Sequence, residues 1–529
     1  MTEDSTHAGW SRRRLLQAGS AGALAPALVR RAYGRGEGRP RVDWGSQVGD
    51  VRSDSALIWS RTDRDARMQL RWSTRPDLAD AVHGPWVHAL QDRDHTAKLL
   101  LNGLPAGERI YYEIVFTDLA DLKTHSEPLR GSFRTAPASA ERNVRFLWSG
   151  DTAGQGWGIN PDFGGMRIYN SMHALQPDFF IHCGDTVYAD SPIGESVQLP
   201  DGTSWRNLVT PEKSKVAESL DEFRGQFRYN LLDAPLRRFN AEVPMYAQWD
   251  DHEVTNNWYW ELRRDNDPRY REGSVARLAA RAMRAFQEYM PVRQHPLNPE
   301  RIHDHFSHGP LLDVFRIDLR AWRGPNSDEQ PRELSPEFRI LGQAQMAWLK
   351  QSLRQSTATW KVIASSMPLG LVVYDNWEHA RGAEAIALRD GPAAGRELEI
   401  AELLTFIRDE KIANVVWLTA DVHYTAAHYY DPEKAQYPHF SPFWEFVSGP
   451  LNAGTFGPNP LDNTFGPQLI YRKAPEDGRV NLSPLEGMQF FGQVDIDTES
   501  RAMTVTLKDL EGETLFTQLL RPEGEMPTT

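Results

Sequence analysis

Carboxylate and imidazole side chains fall in this sequence just after runs of apolar residues. Val144-Arg145-Phe146-Leu147-Trp148 leads into Ser149-Gly150-Asp151, and Asp178-Phe179-Phe180-Ile181-His182-Cys183 into Gly184-Asp185-Thr186-Val187-Tyr188. Met245-Tyr246-Ala247-Gln248-Trp249 leads into Asp250-Asp251-His252-Glu253, and Asn414-Val415-Val416-Trp417-Leu418 into Thr419-Ala420-Asp421-Val422-His423. If the runs are strands of an α/β sheet, ligands bind at their carboxyl ends. Asp151, Asp185, Asp251, His252, Asp421 and His423 should then converge. Carboxylates brought together repel unless cations neutralise them. Oxygen donors with a few imidazoles suit Fe, Mn, Ca, Mg or Zn, so a cluster of two or three metal ions is the economical reading. Such a cluster hydrolyses esters through a metal-activated hydroxide. Asp421 and His423 alternate, so in an extended segment both point to the same side.

Other residues are candidates by position. Asp190 follows the second motif and is a candidate outer ligand, and Asn256 or Asn257 follows the third as a ligand or phosphate donor. Arg320 and Arg323 stand in Phe315-Arg316-Ile317-Asp318-Leu319-Arg320-Ala321-Trp322-Arg323. Either guanidinium could hold a phosphate bidentately, and an Asp–Arg pair that merely holds a loop fits as well. The segment from Phe443 to Pro450 and the Gly-, Pro- and Asn-rich run to Thr464 are candidate pocket rims. Cys183, the one cysteine, reads as a small core residue.

The order Asp, Gly-Asp, Asp-His-Glu, Asp-x-His resembles the calcineurin-like metallophosphoesterases, and Tyr188, three residues after Asp185, resembles the iron-binding Tyr of purple acid phosphatases. Asp251 and Asp421 stand where that superfamily usually places Asn and His. Those two replacements narrow the match. His182-Cys183-Gly184-Asp185-Thr186-Val187-Tyr188-Ala189-Asp190, Trp249 to Asn257 and Leu418-Thr419-Ala420-Asp421-Val422-His423-Tyr424 resemble the alkaline phosphatase D (PhoD-like) family. The resemblance implies hydrolysis of phosphomonoesters and phosphodiesters at an iron–calcium centre. It also implies Asp185 as the bridging ligand, Asp151, Tyr188 and His423 on a ferric ion, Asp251 and Asp421 on the second ion, and His252 as the catalytic residue. One departure is clear: the best-described members place a cysteine ligand after the first catalytic strand, and this chain has Asp151 there. The rival readings are a phospholipase-type phosphodiesterase at the same centre and a non-catalytic calcium-binding surface protein.

The elements that must position these residues follow from patterning. Residues 41–136 alternate apolar and polar side chains, and Leu104-Pro105-Ala106-Gly107 before Tyr111 and Tyr112 resembles a fibronectin type III sandwich. An accessory all-β domain is expected there, then a linker near 135–140, then a catalytic domain over 142–522. Strands alternating with helical stretches predict an α/β (α+β) metallophosphoesterase β-sandwich with flanking helices. In front, Ser11-Arg12-Arg13-Arg14-Leu15-Leu16 and a mild apolar stretch rich in Ala and Gly read as a Tat signal over residues 1–34. The expected partners are therefore the Tat machinery and small organic phosphate esters, in the periplasm or outside the cell, with no transmembrane anchor. A net charge of -13 argues against general nucleic-acid binding. An anionic substrate then needs a locally positive site.

Overall fold

The computed structural model describes residues 38–140, 142–476 and 478–523; the Tat segment lies outside them. Two mixed sheets pack face to face. One has nine strands and carries, side by side and parallel, Val144–Ser149, Phe179–His182 and Met245–Ala247. The other has seven and carries Leu312–Arg316, Trp360–Ala364, Val415–Thr419 and Phe443–Val447, again mutually parallel.

The apolar runs are continuous because both faces of each sheet are buried. Along a strand, successive side chains go to opposite faces. Phe146 and Trp148 enter the core between the sheets, whereas Leu147 faces the helices on the outer side. Val362 and Ala364 enter the same inter-sheet core, and Ile363 faces the helices of the second sheet. Helices Leu220–Asn230, Ala234–Glu242 and Val275–Tyr289 cover the first sheet; Gln343–Gln355 and Glu397–Asp409 cover the second. Leu220–Asn230 starts at a complete capping box, with Ser219 and Glu222 satisfying each other's backbone N–H. Among the described residues, no helix is long and apolar enough to cross a membrane.

The N-terminal β region has a core of its own around Ile58, Met68, Leu70, Ile110 and Phe133. It is also hydrogen-bonded into the sheet of the rest of the chain. Its strands Ser46–Gly49, Ser55–Arg61 and Thr96–Asn102 extend the nine-stranded sheet, joined where Gly49 pairs in parallel with Met245. The indole N–H of Trp59 donates to the Glu288 carbonyl at 2.8 Å, and Gln47 Nε2 donates to the Tyr289 carbonyl at 2.9 Å.

Candidate metal centre

The carboxyl ends of the central strands of both sheets meet at one edge of the sandwich. Turns after Val144–Ser149, Phe179–His182 and Met245–Ala247 carry Asp151, Asp185 and Asp250 to His252, and the turn after Val415–Thr419 carries Asp421 and His423. These turns are laced together by backbone bonds: Asp151 N–H donates to the Gly184 carbonyl, Thr152 N–H to that of Asp185, and Ala189 N–H to that of His252. Four of the candidates have left-handed backbone, with φ of 69° at Asp151, 52° at Asp185, 70° at Asp421 and 60° at His423. Such conformations are uncommon for residues other than Gly, are least costly for Asp, Asn and His, and cluster where a site over-determines the backbone. They correct the expectation of an extended Asp421–His423 segment with both side chains on one side.

The donor atoms fall into three overlapping groups, in each of which the atoms lie within 4.8 Å of one another: Asp151, Asp185 and His423; Asp185, Asp251 and His252; and Asp250, Asp251 and Asp421. Asp185 belongs to the first two groups. Asp421 and His423 thus serve different groups, since the left-handed turn at each parts their side chains. Tyr188 is fully buried; its hydroxyl is 2.9 Å from His423 Nε2, and its ring stacks on His252 with centroids 4.3 Å apart. His423 Nδ1 is hydrogen-bonded to the Gly454 carbonyl, which leaves Nε2 for the site. A side chain at Gly449 is excluded, because its Cβ would stand 2.3 Å from Asp151 Oδ2.

Burial, and then neighbouring carboxylates, push Asp151, Asp185 and Asp421 well above the ordinary carboxylate range. Burial also raises Asp251, but His252 and Arg320 outweigh it and hold that carboxyl down at about 2. His423 is lowered to about 4 by burial. His252 goes the other way: burial opposes its charge, yet Asp190, Asp251 and Asp185 raise it well above the usual imidazole value. Asp151 Oδ2 and Asp251 Oδ1 are buried without a hydrogen-bond partner. Buried carboxylate oxygens are normally satisfied, and hard cations satisfy oxygens of this kind. The residues present therefore fit a metal cluster.

Around the centre, Asp190 uses both oxygens within the protein, one 2.8 Å from His252 Nδ1 and the other accepting Asn256 N–H at 2.7 Å. Asn256 is exposed on the cleft wall; Asn257 N–H donates to Asp251 Oδ2 at 2.7 Å. Arg320 and Arg323 lie behind the centre and outside the cleft lining. Arg320 Nε donates to Asp250 Oδ1 at 2.6 Å and its Nη1 meets Glu384, which also takes Arg323 Nη1 at 3.0 Å. Their charge is spent on carboxylates, as in the loop-holding alternative. Cys183 is buried in the inter-sheet core, and His182 Nε2 is 3.1 Å from Thr152 Oγ1.

The centre opens into a cleft of about 800 Å³ whose wall includes Arg264, Arg269, Trp377 and Phe456. Sequence reasoning missed both arginines. They lie in a polar loop with no strand end to mark them, and only the need for a positive site in an acidic chain hinted at their kind. It also missed Glu253, whose buried carboxylate accepts from Thr186 N–H, Thr186 Oγ1 and Asp250 N–H and so locks two ligand turns together. The Gly-rich run contributes Phe456 to Asn459 to the rim.

The PhoD-like phosphatase family matches residues 146–507, and the N-terminal domain of PhoD-like phosphatases matches residues 27–137. Alkaline phosphatase D of Bacillus subtilis (strain 168) is 27% identical over 406 residues, which span 72% of this chain and 64% of that protein. A solved structure of PhoD superposes with a TM-score of 0.66 at 19% identity, covering 92% of this chain and 90% of that one. A purple acid phosphatase from yellow lupin (Lupinus luteus) seeds superposes with a TM-score of 0.56 at 12% identity, covering 92% and 74%.

Proposed function

Since the chain belongs to the PhoD-like phosphatase family, we propose that it is a metal-dependent phosphoric ester hydrolase acting on phosphomonoesters, phosphodiesters or both. The observation that carries this reading is three donor groups linked by the shared carboxylates of Asp185 and Asp251 at the floor of an open cleft. Asp151, Asp185, Tyr188 and His423 would hold one ion; Asp185, Asp251 and Asp421 would hold a second. A phenolate donor favours Fe(III), an all-carboxylate set favours Ca(II), and Zn, Mn or Mg remain compatible with the same atoms. Bound ions would supply Lewis acidity and an acidified water at neutral pH.

The chain's own residues do the rest. Asp190 fixes the His252 ring through Nδ1, leaving Nε2 toward Asp251 at 3.9 Å and the cleft. His252 has acidic neighbours that outweigh burial and raise its imidazole well above the usual value, which favours the protonated ring. From Nε2 it can neutralise developing charge or protonate the departing alkoxide. Arg264 on the wall draws an anionic ester into an otherwise acidic protein, while Arg269 beside it is paired with Asp267 at 2.7 Å.

A phospholipase-type diesterase is the second reading, favoured by the exposed Trp377 and Val480 on the same wall, which suit an apolar substituent beyond the phosphate. Residues 41–136 are proposed as a non-catalytic domain, 142–522 as the catalytic one, and 1–34 as a Tat signal directing the protein to the periplasm or beyond. Metal quantification together with a panel of phosphomonoesters and diesters tests the proposal. At least two ions per chain and hydrolysis lost on chelation are expected. Calcium alone, with no hydrolysis of any ester, would leave a binding protein.

A further inference from the structure

Away from the metal cleft, and sharing no lining residue with it, a cavity of about 170 Å³ gathers Arg52, Arg293, Arg301 and Arg316 together with His295 and His303. Arg52 comes from the N-terminal β region. Arg293 and Arg301 come from the segment after helix Val275–Tyr289, and Arg316 ends strand Leu312–Arg316. In a chain of net charge -13, such a gathering of guanidinium groups needs a reason.

The charges do not cancel within it. Asp50 pairs with Arg316, Oδ1 to Nη1 at 2.8 Å, and Asp304 pairs with Arg52 at 2.8 Å. Arg293 and Arg301 have no carboxylate within salt-bridge distance among the described residues. Arg293 donates to the Asp50 carbonyl and to Ser55 Oγ, and Arg301 Nε to the His303 carbonyl at 2.9 Å. Exposed Asp54, bonded to Ser55 Oγ, is the one other carboxylate acting on Arg293. Four guanidinium groups thus face Asp50, Asp304 and the exposed Asp54, and the balance stays positive. Burial lowers both Arg293 and Arg301 from the usual guanidinium value, a sign that their charge lacks compensation. Independently, Arg52 Nε and His303 Nδ1 are buried without a hydrogen-bond partner, and His303 is 6% exposed.

We propose that this cavity is a second anion site, built for a free tetrahedral dianion such as inorganic phosphate at the seam between the N-terminal and catalytic regions. Guanidinium forks match the oxygens of such an ion in pairs, and the positive balance of the cavity attracts its charge. The pocket is open to solvent on one side and has ample room for a five-atom oxyanion. An ion held there joins Arg52 to Arg293 and Arg301 across the seam.

Equilibrium dialysis of the metal-loaded enzyme against radiolabelled inorganic phosphate tests the site. Arg301→Gln and Arg293→Gln should each bind one equivalent fewer than the wild type at saturation. Both should hydrolyse ester at low phosphate within twofold of its rate. Arg301→Gln gives up one described hydrogen bond, to a backbone carbonyl, so it should fold; circular dichroism checks both variants. If the two folded variants bind as many equivalents as the wild type, the cavity is not an anion site.

Discussion

Replacing Asp185 by Asn should change the sign of its effect on stability when metal is removed. Asp151 and Asp251 each place a donor atom within 4.8 Å of one on Asp185, and His252 does the same with opposite charge. At an effective dielectric of about 20, one such contact is worth roughly 3.5 kcal/mol. Burial disfavours the ionised Asp185 first, and two repulsions with one attraction add about 3 kcal/mol against it in metal-free protein. The amide keeps the shape but accepts the His252 N–H, now 3.1 Å from Asp185 Oδ1, more weakly, at a cost of about 1 kcal/mol. A net gain of about 2 kcal/mol remains. Unfolding entropy of about 2.1 cal/mol/K per residue makes that a rise of about 2 °C in midpoint for 529 residues. The metal-free carboxyl is raised on folding. The wild type therefore loses stability as pH climbs from about 4, where the unfolded group ionises, through the raised folded value. The Asn variant's advantage grows over that window and is absent below it. With metal restored the order reverses. The variant loses the donor shared by two groups, its metal content falls, and hydrolysis drops by more than about 100-fold, the upper range for merely outer-sphere changes. Paired thermal melts after chelation and after reconstitution read both effects. A metal-free Asn variant that melts below metal-free wild type, or a variant with full metal content and activity, would refute the reasoning.

Removing Arg320 as Arg320→Met leaves Asp250 and Glu384 short of a buried partner, and should cost about 3–5 kcal/mol, read as a lower thermal midpoint; an unchanged midpoint contradicts the ion-pair account. Asp190→Asn should lower kcat about 10- to 100-fold at unchanged metal content and move the alkaline limb of the pH–rate profile down, because Asp190 is among the groups that raise His252 and a proton donor is lost as pH climbs through its pKa; an unmoved limb separates Asp190 from the proton donor. Cys183→Ser should keep its metals and most of its activity for about 1 kcal/mol of lost packing, whereas loss of iron from the folded variant would make the thiol a ligand. Arg12→Lys with Arg13→Lys should hold folded, active enzyme in the cytoplasm, and undiminished export measured by fractionation would rule out the twin-arginine reading.

The convergence of Asp151, Asp185, Asp251, His252, Asp421 and His423 was legible because strands buried on both faces read as apolar runs, and a polar residue that ends such a run lies at the sheet edge. Backbone conformation was not legible. Alternation placed Asp421 and His423 together, but left-handed turns send them to different donor groups. Arg320 and Arg323 advertise phosphate binding by type alone. Their partners, Asp250 and Glu384, are 70 and 64 residues from Arg320, and nothing local announces them. The separate look of residues 41–136 came from their own alternation, which is silent about an edge strand pairing with Met245. Arg264 and Arg269 became visible only once the cleft had walls.

The pairing of Gly49 with Met245 bears on how the protein can be taken apart. A catalytic fragment beginning near residue 142 would leave Met245–Ala247 as an open sheet edge. It would also uncover the acceptor carbonyls of Glu288 and Tyr289, now met by Trp59 and Gln47. Unpaired edges of apolar sheets recruit other chains, so such a fragment should be prone to self-association. Grafting the N-terminal region onto another catalytic domain would fail for the complementary reason. The two halves share a hydrogen-bonded seam rather than a tether, and they should be inherited, engineered and unfolded as one piece.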